Sequence, residues 1–349
     1  MYIQKQKVKN IDLKKINKIL VIKLRAIGDV LISTSVLPNL KNKFPNAEIH
    51  FLTEPQSGAL LKYNPFIDKL IIFGRKDKGY LKFLLKLRKE KYDLVFDLFC
   101  NPRSAQMTFA TKAKYRIGYS FRLRKYAYNV LLKSRSDYVH NVDFNLDELR
   151  ALDIDIISRL PILKISEFEE NFAENFYQKI VQNSDDIIGI NAGGGWESKL
   201  WNLEKFAHLA DMLIDNFGFK VIIFWGPNQE YIFEKIKYLM KNTPIIPPST
   251  TLLELAALQK RCKFIISNDS GPMHIGAAIG TPTLGIFGPT KPQLQGPLGE
   301  NCTTIVKSDL ECLGCNLTKC NIGNLCMNTL TVEEVYHKII EWQKLYERK

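Results

Sequence analysis

Short β-rich apolar runs alternate with amphipathic helical stretches, the alternation stops once, and then it starts again. In the first half KILVIKL (18–24), AEIHFLT (47–53), DKLIIF (68–73), YDLVFDLF (92–99) and KYRIGY (114–119) read as strands. VLISTSVLPNLKNKF reads as one helix ending near Pro45, and LKFLLKLRKEK as a basic amphipathic helix. Between about 134 and 183 the pattern gives way to a polar, acidic stretch holding Pro161 and the helix-like EFEENFAENFYQKIV. It resumes with the strands DIIGINAG (186–193), KVIIFWG (220–226), TPIIPP, KFIISND (263–269) and TPTLGIFG (281–288), with helices between them. Four- to six-residue apolar runs separated by helices predict parallel sheets covered on both faces.

The expected organisation is α/β: a Rossmann-like domain over 1–165, a linker helix region over 166–185, and a second Rossmann-like domain over 186–330. A final helix, 331–349, is expected to pack back toward the first domain. Ligands of such sheets bind beyond the carboxyl ends of the strands, so the site is predicted in a cleft between two facing domains.

Charge divides along the same line. Residues 1–140 hold 29 Lys+Arg against 10 Asp+Glu, a net +19, while residues 141–349 hold 20 against 26, a net −6. A basic half either keeps a surface solvated or meets something anionic: nucleic acid, a phosphorylated substrate or an acidic membrane face. The longest uncharged run, from Asp269 to Lys291, carries five glycines and three prolines, which excludes one apolar spanning helix. The basic N-terminus has no apolar stretch long enough for a secretory signal, so the chain is expected in the cytoplasm. There the tail cysteines Cys312, Cys315, Cys320 and Cys326 are not expected as disulfides. Their spacing could close a tetrahedral zinc site of structural type, or they could pack a loop as small thiols.

Four constellations carry chemistry. Gly28-Asp29 follows the first strand, where a carboxylate could act as a general base or cap the next helix. Gly193-Gly194-Gly195, with Lys199 close behind, follows the first strand of the second half; bare backbone N–H groups and a compact cation suit a diphosphate, and a plain flexible loop is the alternative. Asp269-Ser270-Gly271 leads into a short helix bearing His274, whose first N–H groups can hold phosphate oxygens. Glu230, after KVIIFWG, could accept hydrogen bonds from ribose hydroxyls or be a surface residue of a helix's first turn. Neither GxGxxG nor the P-loop pattern GxxxxGK[ST] is present, so a dinucleotide fingerprint and an NTPase are not indicated.

LRAIGDVLISTSVLPNLK, GGGWESKLWNLEKFAHL, FIISNDSGPMHIGAAIGTPTLGIFGPT and the cysteine tail with its following helix together resemble glycosyltransferase family 9, the ADP-heptose:lipopolysaccharide heptosyltransferases, over about 18–345. The resemblance implies a GT-B fold, an acceptor-binding first domain, and metal-independent, inverting transfer of a heptose from ADP-heptose to a lipopolysaccharide inner-core acceptor, with no cofactor. It implies Asp29 as the catalytic base and Lys199 as the contact to the donor diphosphate. Glu230 would stand at the adenosine ribose, and Asp269, Ser270, Gly271 and His274 in the donor-binding string. Gly194 and Gly195 depart from the family, standing where several members have threonines. An anionic lipid-linked acceptor would suit the basic half, with peripheral attachment at the inner membrane through the cations of 75–91 and 112–125. The alternatives are a GT-B transferase with another donor or acceptor, and a nucleic-acid-binding protein with a four-cysteine zinc site. Against the second, the basic segments lack a stacking-platform pattern and the cysteines sit in the acidic half.

Overall fold

The structure is a computed structural model, and it describes residues 12–180 and 186–346. The chain divides into two compact units, Met1–Lys164 and Ile165–Lys349.

The first unit is built on six parallel strands: β1 (Lys18–Ile22), β2 (Glu48–Thr53), β3 (Lys69–Ile72), β4 (Leu94–Asp97), β5 (Tyr115–Tyr119) and β6 (Val130–Leu132). Their order is β3-β2-β1-β4-β5-β6. β1 lies centrally, pairing Ile19 with Ile49 on one side and with Leu94 on the other. Ile19, Leu20, Val21 and Ile22 are fully buried, as a strand covered on both faces demands.

The second unit holds β7 (Ile187–Asn191), β8 (Lys220–Phe224), β9 (Phe264–Asn268), β10 (Thr283–Phe287) and β11 (Thr303–Val306), all parallel, in the order β11-β10-β9-β7-β8. TPIIPP contributes a single bridge, Ile245 to Ile222, rather than the expected strand. Pro244, Pro247 and Pro248 remove the donors a ladder would need. With that bridge counted as the position beyond β8, both sheets follow one order. In each, the strand order reverses beside the first strand, and the crevice at the strands' carboxyl ends lies there.

Two local readings change. The first helix is two helices, Ile27–Ser33 and Val36–Lys43. Pro38 has no N–H for the bond a continuous helix would require, and the Ser33 and Thr34 hydroxyls donate back to the carbonyls of Val30 and Leu31. The helix Glu167–Gln178 is part of the second unit rather than a separate linker. It packs on the helix Leu252–Lys260, where the Tyr177 hydroxyl donates to the Leu258 carbonyl at 3.0 Å. The last helix, Val332–Tyr346, buries Val335, Ile339 and Trp342 in the core of the second unit. Its apolar stripe has its partners there, among them Phe264 on β9. Among the described residues, no helix is long and apolar enough to cross a membrane.

Candidate active site

In the second unit, the loops leaving β7 and β9 are tied to each other. Asn268, the last residue of β9, donates from Nδ2 to the Ala192 carbonyl at 2.6 Å and accepts at Oδ1 from the Trp201 N–H at 3.1 Å. It thus fixes both ends of the Gly193–Leu200 loop against β9. The glycines differ in what they make room for. A Cβ on Gly193 would stand 2.5 Å from Gln229 Oε1, and one on Gly194 3.1 Å from Leu200 Cδ2, whereas Gly195 has nothing within 4 Å. Gly195 therefore leaves its backbone open to a ligand, while Gly193 admits a protein side chain.

A 3-10 turn, Glu197–Lys199, carries Lys199 to Asp269, with Nζ 2.6 Å from Oδ2. The ammonium also sits 4.4 Å from the centre of the Trp196 ring. Asp269 Oδ2 accepts a second bond, from the Thr290 hydroxyl at 2.5 Å. Both charged side chains are largely out of water, so the pair is held by fixed partners rather than by solvent. The expected separate roles for Lys199 and Asp269 thus meet in one ion pair: the carboxylate orients the lysine. Ser270 precedes the helix Gly271–Ala278 without capping it, and its hydroxyl is buried with no hydrogen-bond partner in the structure. An orphaned buried hydroxyl beside a helix's first N–H groups is an arrangement a phosphate oxygen would complete. His274 lies buried in the first turns of the same helix.

Glu230 is exposed as the first residue of the helix Glu230–Leu239. The neighbouring Gln229 faces the glycine loop instead, its Oε1 accepting from the Gly226 N–H at 3.2 Å. Sequence reasoning missed Gln229 and Thr290. The signal for Gln229 is a pair of glycines, 193 and 226, that both lack a Cβ toward the same side chain.

In the first unit Asp29 is the third residue of the helix Ile27–Ser33, not its cap; Ala26 occupies that position, and Gly28 is buried. The Asp29 carboxylate reaches back to accept the Ala26 N–H at 3.3 Å and is half-buried, which leaves it open to a second partner. Glu54, just past β2, draws two cations together that the sequence alone did not single out: Arg103 Nη1 at 3.1 Å and Arg75 Nε at 3.9 Å from Oε1. Arg103 Nη2 donates to the Phe73 carbonyl at 2.8 Å, while its Nε and Nη1 are buried and make no hydrogen bond. The Glu54 N–H donates to the Leu24 carbonyl, which places this cluster beside the segment that leads to Asp29.

The first unit also holds a buried acidic pair, Asp97 and Glu148. Asp97 accepts from the Cys100 N–H and the Tyr128 hydroxyl, at 2.8 and 2.7 Å, yet burial holds its carboxyl above the usual range. Glu148 has neither carboxyl oxygen partnered, and burial, then the charge of Asp97, pushes it well above that range. The tail cysteines are all free thiols. Among the described residues no group of three or more His, Cys, Asp or Glu is placed to hold a metal ion. Cys326 packs in the second core instead, its sulfur 2.7 Å from where a Cβ on Gly288 would stand.

The chain matches the model of glycosyltransferase family 9 (heptosyltransferase) over residues 80–325. Lipopolysaccharide heptosyltransferase 1 of Campylobacter coli is 27% identical over 341 residues, covering 93% of this chain and 98% of that protein. A solved glycosyltransferase family 9 structure from Veillonella parvula superposes with a TM-score of 0.83 at 27% identity, covering 93% of this chain and 97% of that one. The ADP-heptose lps heptosyltransferase II of E. coli gives 0.76 at 23% identity, covering 95% and 99%.

Proposed function

The chain belongs to glycosyltransferase family 9 and is a glycosyltransferase of GT-B fold; from that premise we propose that it transfers a heptose from ADP-heptose to a lipopolysaccharide inner-core acceptor. The observation that carries the donor half is the Lys199–Asp269–Thr290 cluster set beside the open Gly195 backbone and the orphaned Ser270 hydroxyl. A nucleoside diphosphate needs several donors converging on oxygens whose charge grows as the glycosidic bond breaks, and these groups supply them without a metal ion.

The step is a single displacement with inversion. The acceptor hydroxyl oxygen attacks the anomeric carbon, Asp29 takes the hydroxyl proton, and the bond to the diphosphate breaks so that ADP leaves with the electron pair. Lys199, the Ser270 hydroxyl and the backbone N–H groups at Gly194, Gly195 and Gly271 balance the charge on the departing ADP. Glu230 and His274 contribute to holding the nucleotide and sugar. On the acceptor side, Arg75 and Arg103, gathered by Glu54, suit a phosphate or carboxylate of the core. On this reading the enzyme works at the cytoplasmic face of the inner membrane, where such an acceptor is displayed.

Binding of ADP, UDP, GDP and CDP, with and without EDTA, tests the donor. Selective stabilisation by ADP, indifferent to EDTA, is expected; a ligand at 100 times its Kd adds about 2.7 kcal/mol to the folded state, which a melting curve resolves. Preference for another nucleotide would retain the transferase and discard the heptose. Silence from all four would overturn the donor site.

A further inference from the structure

The helix Tyr80–Lys89 is apolar on two sides. Inward, Leu87 is buried and Phe83 stacks on Phe73 with ring centres 3.9 Å apart. Outward, Leu81 and Leu85 are 76% and 61% exposed. Four residues apart, they stand one above the other on the helix surface. Lys82, Lys86, Arg88 and Lys89 are exposed around them, and none is in an ion pair among the described residues. Exposed leucines inside a ring of unpaired cations give nothing to the fold; they match a boundary where acyl chains lie beneath anionic headgroups.

The surface continues beyond that helix. The Tyr80 hydroxyl donates to Gln106 Oε1 at 3.0 Å, joining it to the helix Pro102–Thr111, and that helix packs on the 3-10 segment Arg122–Ala127. There Phe109 and Tyr126, both exposed, meet edge to face at 5.5 Å, with the Lys112 ammonium 3.8 Å from the Phe109 ring centre and Lys125 exposed alongside. Between Asp97 and Asp137 the chain contains nine Lys/Arg and no acid; residues 75–91 contain eight against two. Exposed apolar side chains therefore recur along a strip that is almost free of negative charge.

We propose that this strip, centred on Leu81 and Leu85, is a docking surface for an anionic lipid bilayer. The leucines enter the acyl boundary, the aromatic pair sits at headgroup level, and the lysines extend their chains along the surface to meet lipid phosphates. The inference deepens the proposed function, since a lipid-linked acceptor would lie in that bilayer, but its geometry stands without the reaction.

Flotation of the full chain with phosphatidylcholine vesicles, with and without phosphatidylglycerol and free of any acceptor, tests it. Binding is expected only with phosphatidylglycerol and is expected to fall steeply with salt. Leu81→Gln with Leu85→Gln should weaken binding about 10-fold at unchanged melting temperature, and K82E/K86E/K89E should abolish the lipid preference. Turnover of a delipidated, water-soluble acceptor should stay the same in the leucine variant, and turnover of the acceptor embedded in vesicles should fall. That pairing separates failure of the surface from failure of the chemistry. Equal binding to both lipids at all salt concentrations, undiminished binding by both variants, or capture by RNA instead of vesicles would overturn the proposal.

Discussion

The two units share a strand order and hold their chemistry in opposite ways. In the second, side chains of the loops after β7 and β9 fix one another: Asn268 ties Ala192 to Trp201, and Asp269 holds Lys199 with the help of Thr290. In the first, Asp29 has one bond among the described residues, to Ala26, and most cations are exposed, with Arg75 and Arg103 gathered by Glu54. On the proposed function, the difference follows from the ligand each unit would take. A diphosphate is small and invariant in shape, so preorganised donors stabilise it most. A large anionic acceptor can be collected by charge and needs only one atom, the attacking hydroxyl, placed with accuracy.

The sharpest way to break this contrast is at Lys199. Lys199→Ala should lower kcat by about 10²- to 10³-fold, the size of effect seen when one group stabilising a developing charge is removed. Unchanged kcat/KM would mean the lysine does not face the leaving group. Asp269→Asn should cost about 10-fold alone and much less in the Lys199→Ala background, because the carboxylate acts through the lysine. Additive losses in that double-mutant cycle would show two independent groups and no wired cradle.

Ser270→Ala should weaken ADP binding about 5-fold, the equivalent of one hydrogen bond, and leave the melting temperature of the free protein unchanged or slightly higher. A large drop in stability would mean that the hydroxyl has a structural partner. The smallest effect on turnover is expected in the first unit. Glu148 has its carboxyl raised by burial above the ordinary value of 4.5, so it favours the folded state most when protonated. That contribution is complete below the unfolded value and declines as pH rises through the folded one. Glu148→Gln mimics the protonated acid at every pH. Its melting temperature should therefore exceed wild type by a margin that widens toward alkaline pH, reaching about 2–8 °C if about 1–2 kcal/mol is recovered. A margin constant with pH would indicate that the carboxyl titrates alike in the folded and unfolded chain, so that burial does not raise it.

The same contrast explains what could be read from the chain alone. Central strands such as β1 and β9 are buried on both faces, and their unbroken apolar runs announce them. β6 and β11 are short edge strands of three and four residues and leave no such mark, and the break at Thr34–Ser35 depends on one proline inside an apolar pattern. In the second unit, Lys199, Asp269 and Ser270 stand in contiguous strings whose residue types already state a purpose. Gln229 and Thr290 acquire theirs only from a partner on another loop. The Glu54 cluster joins residues that follow three different strands, β2, β3 and β4, and no local spacing could reveal it. Leu81 and Leu85 read as part of an amphipathic helix's apolar face; only their exposure shows that they point the other way.

The division of labour between the two units is tested most directly by measuring kcat and ADP affinity together in Asp29→Asn. Asparagine can still accept the Ala26 N–H, so the helix start is retained and the proposed base is removed. A fall in kcat of about 10²-fold or more at unchanged ADP affinity is the expected result. Near-normal turnover, or a loss of ADP binding in place of turnover, would contradict the assignment of catalysis to the first unit and donor binding to the second.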